Sequence, residues 1–230
     1  YVMINYYDQK PEETFDADGW LATGDIMRMD KDGFIEIIDR KKEIYKNIKG
    51  ETIAPQKIEN LFRDFEFVKQ VFLAGDHRPF NTVLIYPDLE SANSPLKNMD
   101  DQQRQEYFST VIVSVNNFLA PFERIVDFRI ISRAFDDAHH KLTPKGTYKR
   151  RAIEKNFADV SHSMYEKDHL SLGFGKYEVK IPNWFLREKG ALSRDVSLKE
   201  NVLSIPKLDA SLVIKCIDEE NRIFRIGNFS

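Results

Sequence analysis

Two turn sequences lie at the ends of one short predicted β-hairpin, and they limit what the first part of this chain can form. The segment D-G-W-L-A-T-G-D-I covers residues 18–26, and G-F-I-E-I-I-D-R-K-K-E-I covers residues 33–44. Gly24 has no Cβ, so the turn that presents the Asp25 carboxylate can approach a ligand closely. Arg40 follows with a planar, permanently charged set of donors. Held on rigid strands, this carboxylate and guanidinium can bind the two hydroxyls of a ribose; the simpler interpretation is a solvated hairpin turn.

The composition is that of a folded protein. At 230 residues, the chain can form one ordinary domain and a small second one. Hydrophobic residues make up 42%, including 17 Phe, which is enough for a core and argues against disorder. The net charge of −3 argues against a nucleic-acid binder. The single cysteine, Cys216, cannot form an internal disulfide, so we expect a cytoplasmic protein. No apolar run approaches the roughly 20 residues that span a bilayer.

Residue patterns predict a mixture of strands and helices. Strand composition recurs at 20–29, 34–38, 43–49, 68–75, 82–86 and 125–132. Apolar residues at intervals of three and four predict a long helix that begins with a capping box of Asp100 and Gln103 and ends by Pro121. Further helices are predicted at 56–65 and 150–165, and a final hairpin at 211–217 and 222–229. We therefore expect an α+β fold.

A third motif, G-E-T-I-A-P-Q-K-I-E, follows the hairpin at residues 50–59. Together and in this order, the three motifs resemble the adenylate-forming (AMP-binding) acyl-CoA synthetases, specifically the long-chain fatty acid–CoA ligase branch. The resemblance implies that residues 41–165 form the mobile C-terminal lid of those enzymes, a small mixed β-sheet flanked by helices. Residues 1–40 are then the end of the large N-terminal domain, with a β-hairpin remnant. Residues 166–230 are a β-rich extension of unknown role.

The resemblance also implies a two-step reaction. A fatty acid carboxylate attacks the α-phosphate of ATP, with magnesium (Mg) on the departing phosphates, and the thiol of coenzyme A then cleaves the acyl-adenylate. By resemblance, Asp25 and Arg40 anchor the nucleoside. Lys42 is at the hinge position, where a few backbone rotations swing the lid between two poses. Gly50 matches a family glycine beside the path of the pantetheine arm. An exposed turn lysine and an ordinary turn glycine are the plain alternatives for Lys42 and Gly50.

The sequence departs from the family at the lysine that reaches the α-phosphate during adenylation. In most relatives this lysine stands three residues before a basic pair, and counting back from Arg150 places Thr147 there. A hydroxyl carries no charge to offset that of the phosphate. Two accounts stay open: either Lys145 or Lys149 reaches the site after a small loop shift, or adenylation is impaired or lost. The basic residues here are otherwise interpreted as a solvated helix start or as a contact with the 3′-phosphate of coenzyme A.

No glycine-rich phosphate loop and no starting methionine are visible in the sequence, so we expect a C-terminal portion that is inactive alone. The parent protein should bind a fatty acid, ATP and coenzyme A through the missing domain, with no nucleic acid and no protein-bound metal. Its peripheral contact with a membrane stays open. Two rivals are retained, a fatty acyl-AMP ligase that loads a carrier protein and a non-catalytic relative in which Thr147 marks decay. The intact D-R-K-K motif favours free coenzyme A over a carrier.

Overall fold

The computed structural model describes residues 10–136, 141–143 and 146–227. A short helix, α1 (Pro11–Thr14), comes before the predicted hairpin, which is present as the antiparallel strands β1 (Asp25–Met29) and β2 (Ile35–Arg40). Strand β1 begins five residues later than predicted, because Gly24 adopts φ +76° and turns the chain.

Two short strands and a helix connect the hairpin to the central sheet. They are β3 (Tyr45–Lys46), β4 (Thr52–Ile53) and α2 (Pro55–Asn60). The strand predicted at 43–49 was too long, because the Asn47 side chain accepts the amides of Lys49 and Glu51 and turns the backbone. The helix predicted at 56–65 tightens into a 3₁₀ turn (Leu61–Asp64).

A three-stranded mixed sheet forms the centre of the lid. Strand β5 (Val68–Ala74) is antiparallel to β6 (Asn81–Pro87), and β6 is parallel to β7 (Ile125–Ile130). Parallel strands need a long crossover, which here contains helix α3 (Asp101–Asn116). The predicted capping box of α3 is confirmed, since Gln103 N donates to Asp100 Oδ1 at 2.7 Å and Asp100 N donates to Gln103 Oε1 at 2.9 Å.

Helices cover both faces of this sheet, as expected for strands whose side chains alternate between two buried faces. Helices α2 and α3 lie over one face, and α4 (Arg150–Asn156) and α5 (Ala158–Ser163) over the other. The predicted single helix at 150–165 is wrong in its continuity, because Phe157 adopts φ −118° and ψ 22° and breaks it. The predicted α+β lid with a small mixed sheet and flanking helices is confirmed.

The C-terminal residues form a β-rich extension with one helix. It contains the hairpin β8 (His169–Phe174) and β9 (Tyr177–Pro182), helix α6 (Asn183–Lys189), and the antiparallel strands β10 (Ser197–Lys199), β11 (Val202–Ile205), β12 (Ala210–Asp218) and β13 (Ile223–Ile226). The predicted final hairpin is β12–β13, although its last predicted residues, 228 and 229, lie outside the described part of the chain. Helix α6 was not predicted.

The extension packs tightly against the lid. Phe80 and Val126 of the lid join a hydrophobic cluster with residues of the extension, which include Ile181, Leu186 and Ile205. Polar contacts of the half-buried Lys207 add to this packing. Lys207 Nζ, from the extension, lies 2.5 Å from Ser109 Oγ and 2.9 Å from Glu106 Oε1, both on α3, and 2.9 Å from Asp195 Oδ1. In the described residues, no helix has both the length and the apolar character needed to cross a membrane.

Candidate functional site

The open end of the β1–β2 hairpin carries the predicted carboxylate and guanidinium. Asp25 and Arg40 are direct cross-strand partners, and Arg40 Nε lies 2.8 Å from Asp25 Oδ1. Arg40 Nη1 also donates to the carbonyl oxygen of Thr23 at 3.2 Å. The second carboxylate oxygen, Oδ2 of Asp25, accepts no hydrogen bond from any described residue. The structure therefore brings these two side chains together. The second Asp25 oxygen stays available as an acceptor and the guanidinium keeps further N–H donors, an arrangement that fits a ribose diol.

Asp39, beside Arg40, ties this hairpin to the lid. Its Oδ2 accepts the amide of Gln56 at 2.9 Å, and its Oδ1 accepts the amide of Arg40 at 2.6 Å. The N-cap residue of helix α2 is Ala54, whose side chain cannot accept a hydrogen bond. Asp39, from a distant part of the chain, therefore caps the helix instead. Burial raises the pKa of Asp39, while the two amide hydrogen bonds act in the opposite direction. Sequence reasoning missed this role, although an alanine before a proline-initiated helix is the signal that a cap must come from elsewhere.

The hinge candidate and one lysine candidate face the same cavity. Lys42 and Lys149 line a cleft of about 410 Å³ together with Tyr45, Asp76 and Glu154. Lys149 is exposed and immediately precedes helix α4, and its amide donates to the carbonyl of Lys141 at 2.8 Å. The two cations, one at the predicted hinge and one in the 141–149 loop, thus converge on one space that also holds carboxylates.

Thr147 faces a different cavity. It lines a cleft of about 370 Å³ with Gln56, Asn60 and Arg63, on the side of helix α2. Its hydroxyl lies 2.7 Å from that of Thr143, and the Thr143 amide donates to the Thr147 carbonyl at 2.8 Å. Thr147 therefore serves as part of the internal bonding of its own loop. The third candidate, Lys145, lies outside the described residues.

For Arg150, the interpretation as part of a solvated helix start was wrong. Its side chain is only 11% exposed, and Nη1 lies 2.9 Å from Oε1 of Glu59, which is also buried. Nη2 donates to the carbonyl of Leu73, and the guanidinium lies 4.3 Å from the centre of the Phe72 ring. A charged side chain tolerates such burial only when it is paired and hydrogen-bonded, as it is here. Its neighbour Arg151 remains exposed.

Gly50 lies on an exposed turn away from both clefts. It adopts φ +81°, and its amide donates to the carbonyl of Asn47 at 2.9 Å. No atom lies within 4 Å of the position that a Cβ would occupy. Ile48, two residues before Gly50, is 69% exposed and donates its amide to the carbonyl of Arg78. The turn needs glycine for its backbone angle and leaves open space around it.

The described residues contain no group of three or more His, Cys, Asp or Glu side chains that could hold a metal ion. The carboxylates of the cleft that contains Lys42, those of Glu43, Asp76 and Glu154, line it together with the cations Lys42 and Lys149. This donor set does not fit a protein-held magnesium ion, because the neighbouring ammonium groups compete for the same oxygens.

Comparison with known proteins matches the observed lid. Residues 43–169 match the family model of the AMP-binding enzyme C-terminal domain. Fatty acyl-CoA synthetase B of Dictyostelium discoideum is 34% identical over 181 residues, which is 72% of this chain and 27% of that protein. Long-chain-fatty-acid–CoA ligase 1 of Homo sapiens is 32% identical over 169 residues, 68% of this chain and 24% of that protein.

Among solved structures, the A-PCP didomain of a carboxylic acid reductase from Segniliparus rugosus, in complex with AMP, has a similar fold. The TM-score is 0.56 at 22% identity, over 67% of this chain and 22% of that one. The chain spans about a quarter of the length of the two curated relatives named above. With more than half of its residues matched by the family model, this chain belongs to the family of AMP-binding enzyme C-terminal domains.

Proposed function

We propose that this chain is the C-terminal part of an ATP-dependent ligase that activates a long-chain fatty acid as acyl-AMP and transfers it to coenzyme A. The family assignment and the names of the two relatives support an acyl-CoA ligase. One observation carries the mechanistic part: Lys42 and Lys149 converge on a single cleft. In the proposal, residues 1–40 end the large domain, 41–165 form the lid, and 166–230 are an accessory extension.

The chemical difficulty of the first step is charge, because an anionic carboxylate must attack an anionic phosphate. A preorganised cation beside the α-phosphate lowers this barrier. We assign that role to Lys149, which is exposed, carries a charge and lies in the cleft shared with the hinge candidate. Thr147 has no charge and is bonded to Thr143. Magnesium would be held by the phosphates and by the rest of the parent protein, where it would neutralise the departing pyrophosphate.

Asp25 and Arg40 position the nucleotide in this proposal. The carboxylate accepts a ribose hydroxyl and the guanidinium donates to one, so the α-phosphate stays at a fixed distance from the acyl carboxylate. Positioning of reacting groups can contribute on the order of 7 to 11 kcal/mol in the best cases.

Rotation at Lys42 would then swing the lid between its two poses, so that a different face of the lid would point toward the large domain in each. In the second pose, the turn of Gly50 would lie beside the thiol of coenzyme A, where its missing side chain leaves the path open. The lid alone provides only these parts, so we expect no ligase activity from the isolated chain. A cytoplasmic location stays a prediction from the single cysteine.

The test is pyrophosphate release by the full-length parent protein. We expect Lys149→Ala to lower the rate on the order of 10²-fold, as the loss of one group that stabilises a transition state does. Lys155→Ala, which removes an exposed lysine of α4, the helix that follows Lys149, is the matched control and should leave the rate unchanged. Activity that survives Lys145→Ala and Lys149→Ala together would contradict the assignment of the cation to this loop.

The second candidate function is an adenylation-impaired relative, which Thr147 favours. In that case the wild-type parent releases little pyrophosphate, and Thr147→Lys restores it. The same variant in an active parent should give no comparable gain, so the two functions predict opposite results.

A further inference from the structure

The edge of the lid sheet is closed by side chains and not by another strand. Strand β5 is the edge strand of the three-stranded sheet, and both polar backbone groups of Leu73 find partners beyond that edge. The Leu73 amide donates to Oε1 of Glu59 at 2.8 Å, and the Leu73 carbonyl accepts Nη2 of Arg150. Glu59 and Arg150 therefore act as the acceptor and the donor, respectively, that a further strand would have supplied.

These two side chains also bind each other, so three elements meet at one point. Glu59 comes from α2, Leu73 from β5, and Arg150 from the first position of α4. Both charged side chains are about nine-tenths buried. An ion pair in such a place adds little net stability compared with apolar side chains, but it fixes direction, because a guanidinium binds its partners in one plane.

The loop that precedes Arg150 is fixed on its other side by Tyr148. The Tyr148 ring packs against those of Phe72 and Phe135, with centroid distances of 6.0 and 5.4 Å. Lys149 therefore stands between two anchored residues and is itself exposed. Its backbone cannot rotate freely while both neighbours keep their contacts.

We propose that the Glu59–Arg150 pair is a clamp that positions the described loop residues, 141–143 and 146–149, on the edge of β5 and so aims Lys149 into the cleft that contains Lys42. Glu59 and Arg150 are positioning residues: they contact Leu73 and each other, and they act on the reaction through Lys149. The catalytic part of this inference rests on the proposed function, whereas the clamp itself can be measured without any reaction.

The first experiment is amide hydrogen exchange on the chain as it stands. The amides of Thr143, Gly146 and Lys149 are hydrogen-bonded within the loop and report on its order. We expect Arg150→Lys and Glu59→Ala to speed their exchange about tenfold or more, with α3 amides unchanged, because only the loop is released. Glu59→Gln keeps an acceptor for the Leu73 amide, so it should speed the exchange of the loop amides less than Glu59→Ala does. Equal acceleration across the whole lid, or none in the loop, would overturn the clamp.

The matched control is Lys57→Gln. Lys57 lies on the same helix as Glu59 and makes another ion pair between elements, with Oε1 of Glu123 at 2.8 Å, away from the loop. Loop exchange in this variant should equal that of the wild type.

The second experiment separates the two half-reactions in the full-length parent. We expect Arg150→Lys to slow pyrophosphate release about tenfold or more, while transfer from supplied acyl-adenylate to coenzyme A keeps its rate. A merely structural role would slow both, and wild-type rates in both would also contradict the inference. Failure of the proposed function is distinguishable, because it would show as a wild-type parent that releases no pyrophosphate.

Discussion

Asp25 and Arg40 face each other across the open end of the N-terminal hairpin, with Nε of Arg40 2.8 Å from Oδ1 of Asp25. The Asp25 side chain is 16% exposed, whereas that of Arg40 is 55% exposed. The carboxylate that pairs with Arg40 is therefore largely shielded from water, whereas the guanidinium itself is accessible. Asp25→Asn should raise the KM for ATP of the parent about tenfold or more, because hydrogen bonds to a charged acceptor contribute about 1.5–3 kcal/mol.

The same hairpin provides the control for that measurement. Arg28 and Glu36 form a cross-strand ion pair on the same two strands, with side chains that are 70% and 60% exposed. Glu36→Gln should leave the KM for ATP unchanged, since exposed pairs contribute little. Equal effects of Asp25→Asn and Glu36→Gln would contradict a specific nucleotide role for Asp25.

Asp39→Ala should destabilise the chain by about 1–3 kcal/mol, because two amides, those of Gln56 and Arg40, lose their acceptor. The free energy of unfolding in urea measures this. Asp30→Ala removes an exposed carboxylate that accepts the amides of Asp32 and Phe34 in the hairpin turn, and it should cost less. An effect of Asp39→Ala no larger than that of Asp30→Ala would show that the distant cap is unimportant.

Gly50→Ala and Gly33→Ala should have the same cost in stability, about 1 kcal/mol, because each glycine has a positive φ and open space around it. Only Gly50→Ala should slow the transfer of acyl groups to coenzyme A in the parent. Transfer rates from supplied acyl-adenylate test this, and a normal rate in Gly50→Ala would leave Gly50 as an ordinary turn residue.

Lys207→Met should destabilise the contact between extension and lid by about 3 kcal/mol, because it leaves the Asp195 carboxylate buried without its cation. The Asp195 side chain is 3% exposed, and its Oδ2 has no hydrogen-bond partner among the described residues. Thermal unfolding of the chain measures the loss. Lys199→Met, at an exposed position of β10, should stay within about 0.5 kcal/mol of the wild type.

Features that depend on neighbouring residues in the sequence were predictable. The capping box of α3 and the two hairpins follow from short motifs whose partners lie within a few positions. The sequence patterns also indicated the strands of the central sheet, because these are rich in β-branched and aromatic residues, whereas the mixed arrangement of the sheet was implied by the family resemblance. Helix α6 had usable signals as well, since Pro182 precedes it and Gly190 ends it with φ +71°, but seven residues show too little periodicity.

Features that depend on distant contacts were not predictable. The burial of Arg150 follows from Glu59 and Leu73, which are 91 and 77 residues away. A basic cluster in a sequence indicates solvation on average, and nothing local reveals a partner at that distance. The break in the helix at Phe157 also depends on a distant contact, because the Phe157 ring packs edge-on against Phe135, with centroids 5.5 Å apart. The separation of Thr147 and Lys149 into two clefts likewise depends on how α2 and α4 pack.

The burial of Phe80 and Val126 beneath the extension has a practical consequence for experiments on this protein. A truncated chain that ends at residue 169, where the family match stops, would lose Ile181, Leu186 and Ile205, the side chains that cover that surface. The truncated product would present a bare aromatic and aliphatic patch to water and would tend to self-associate. Biochemical work on the lid should therefore keep the extension attached.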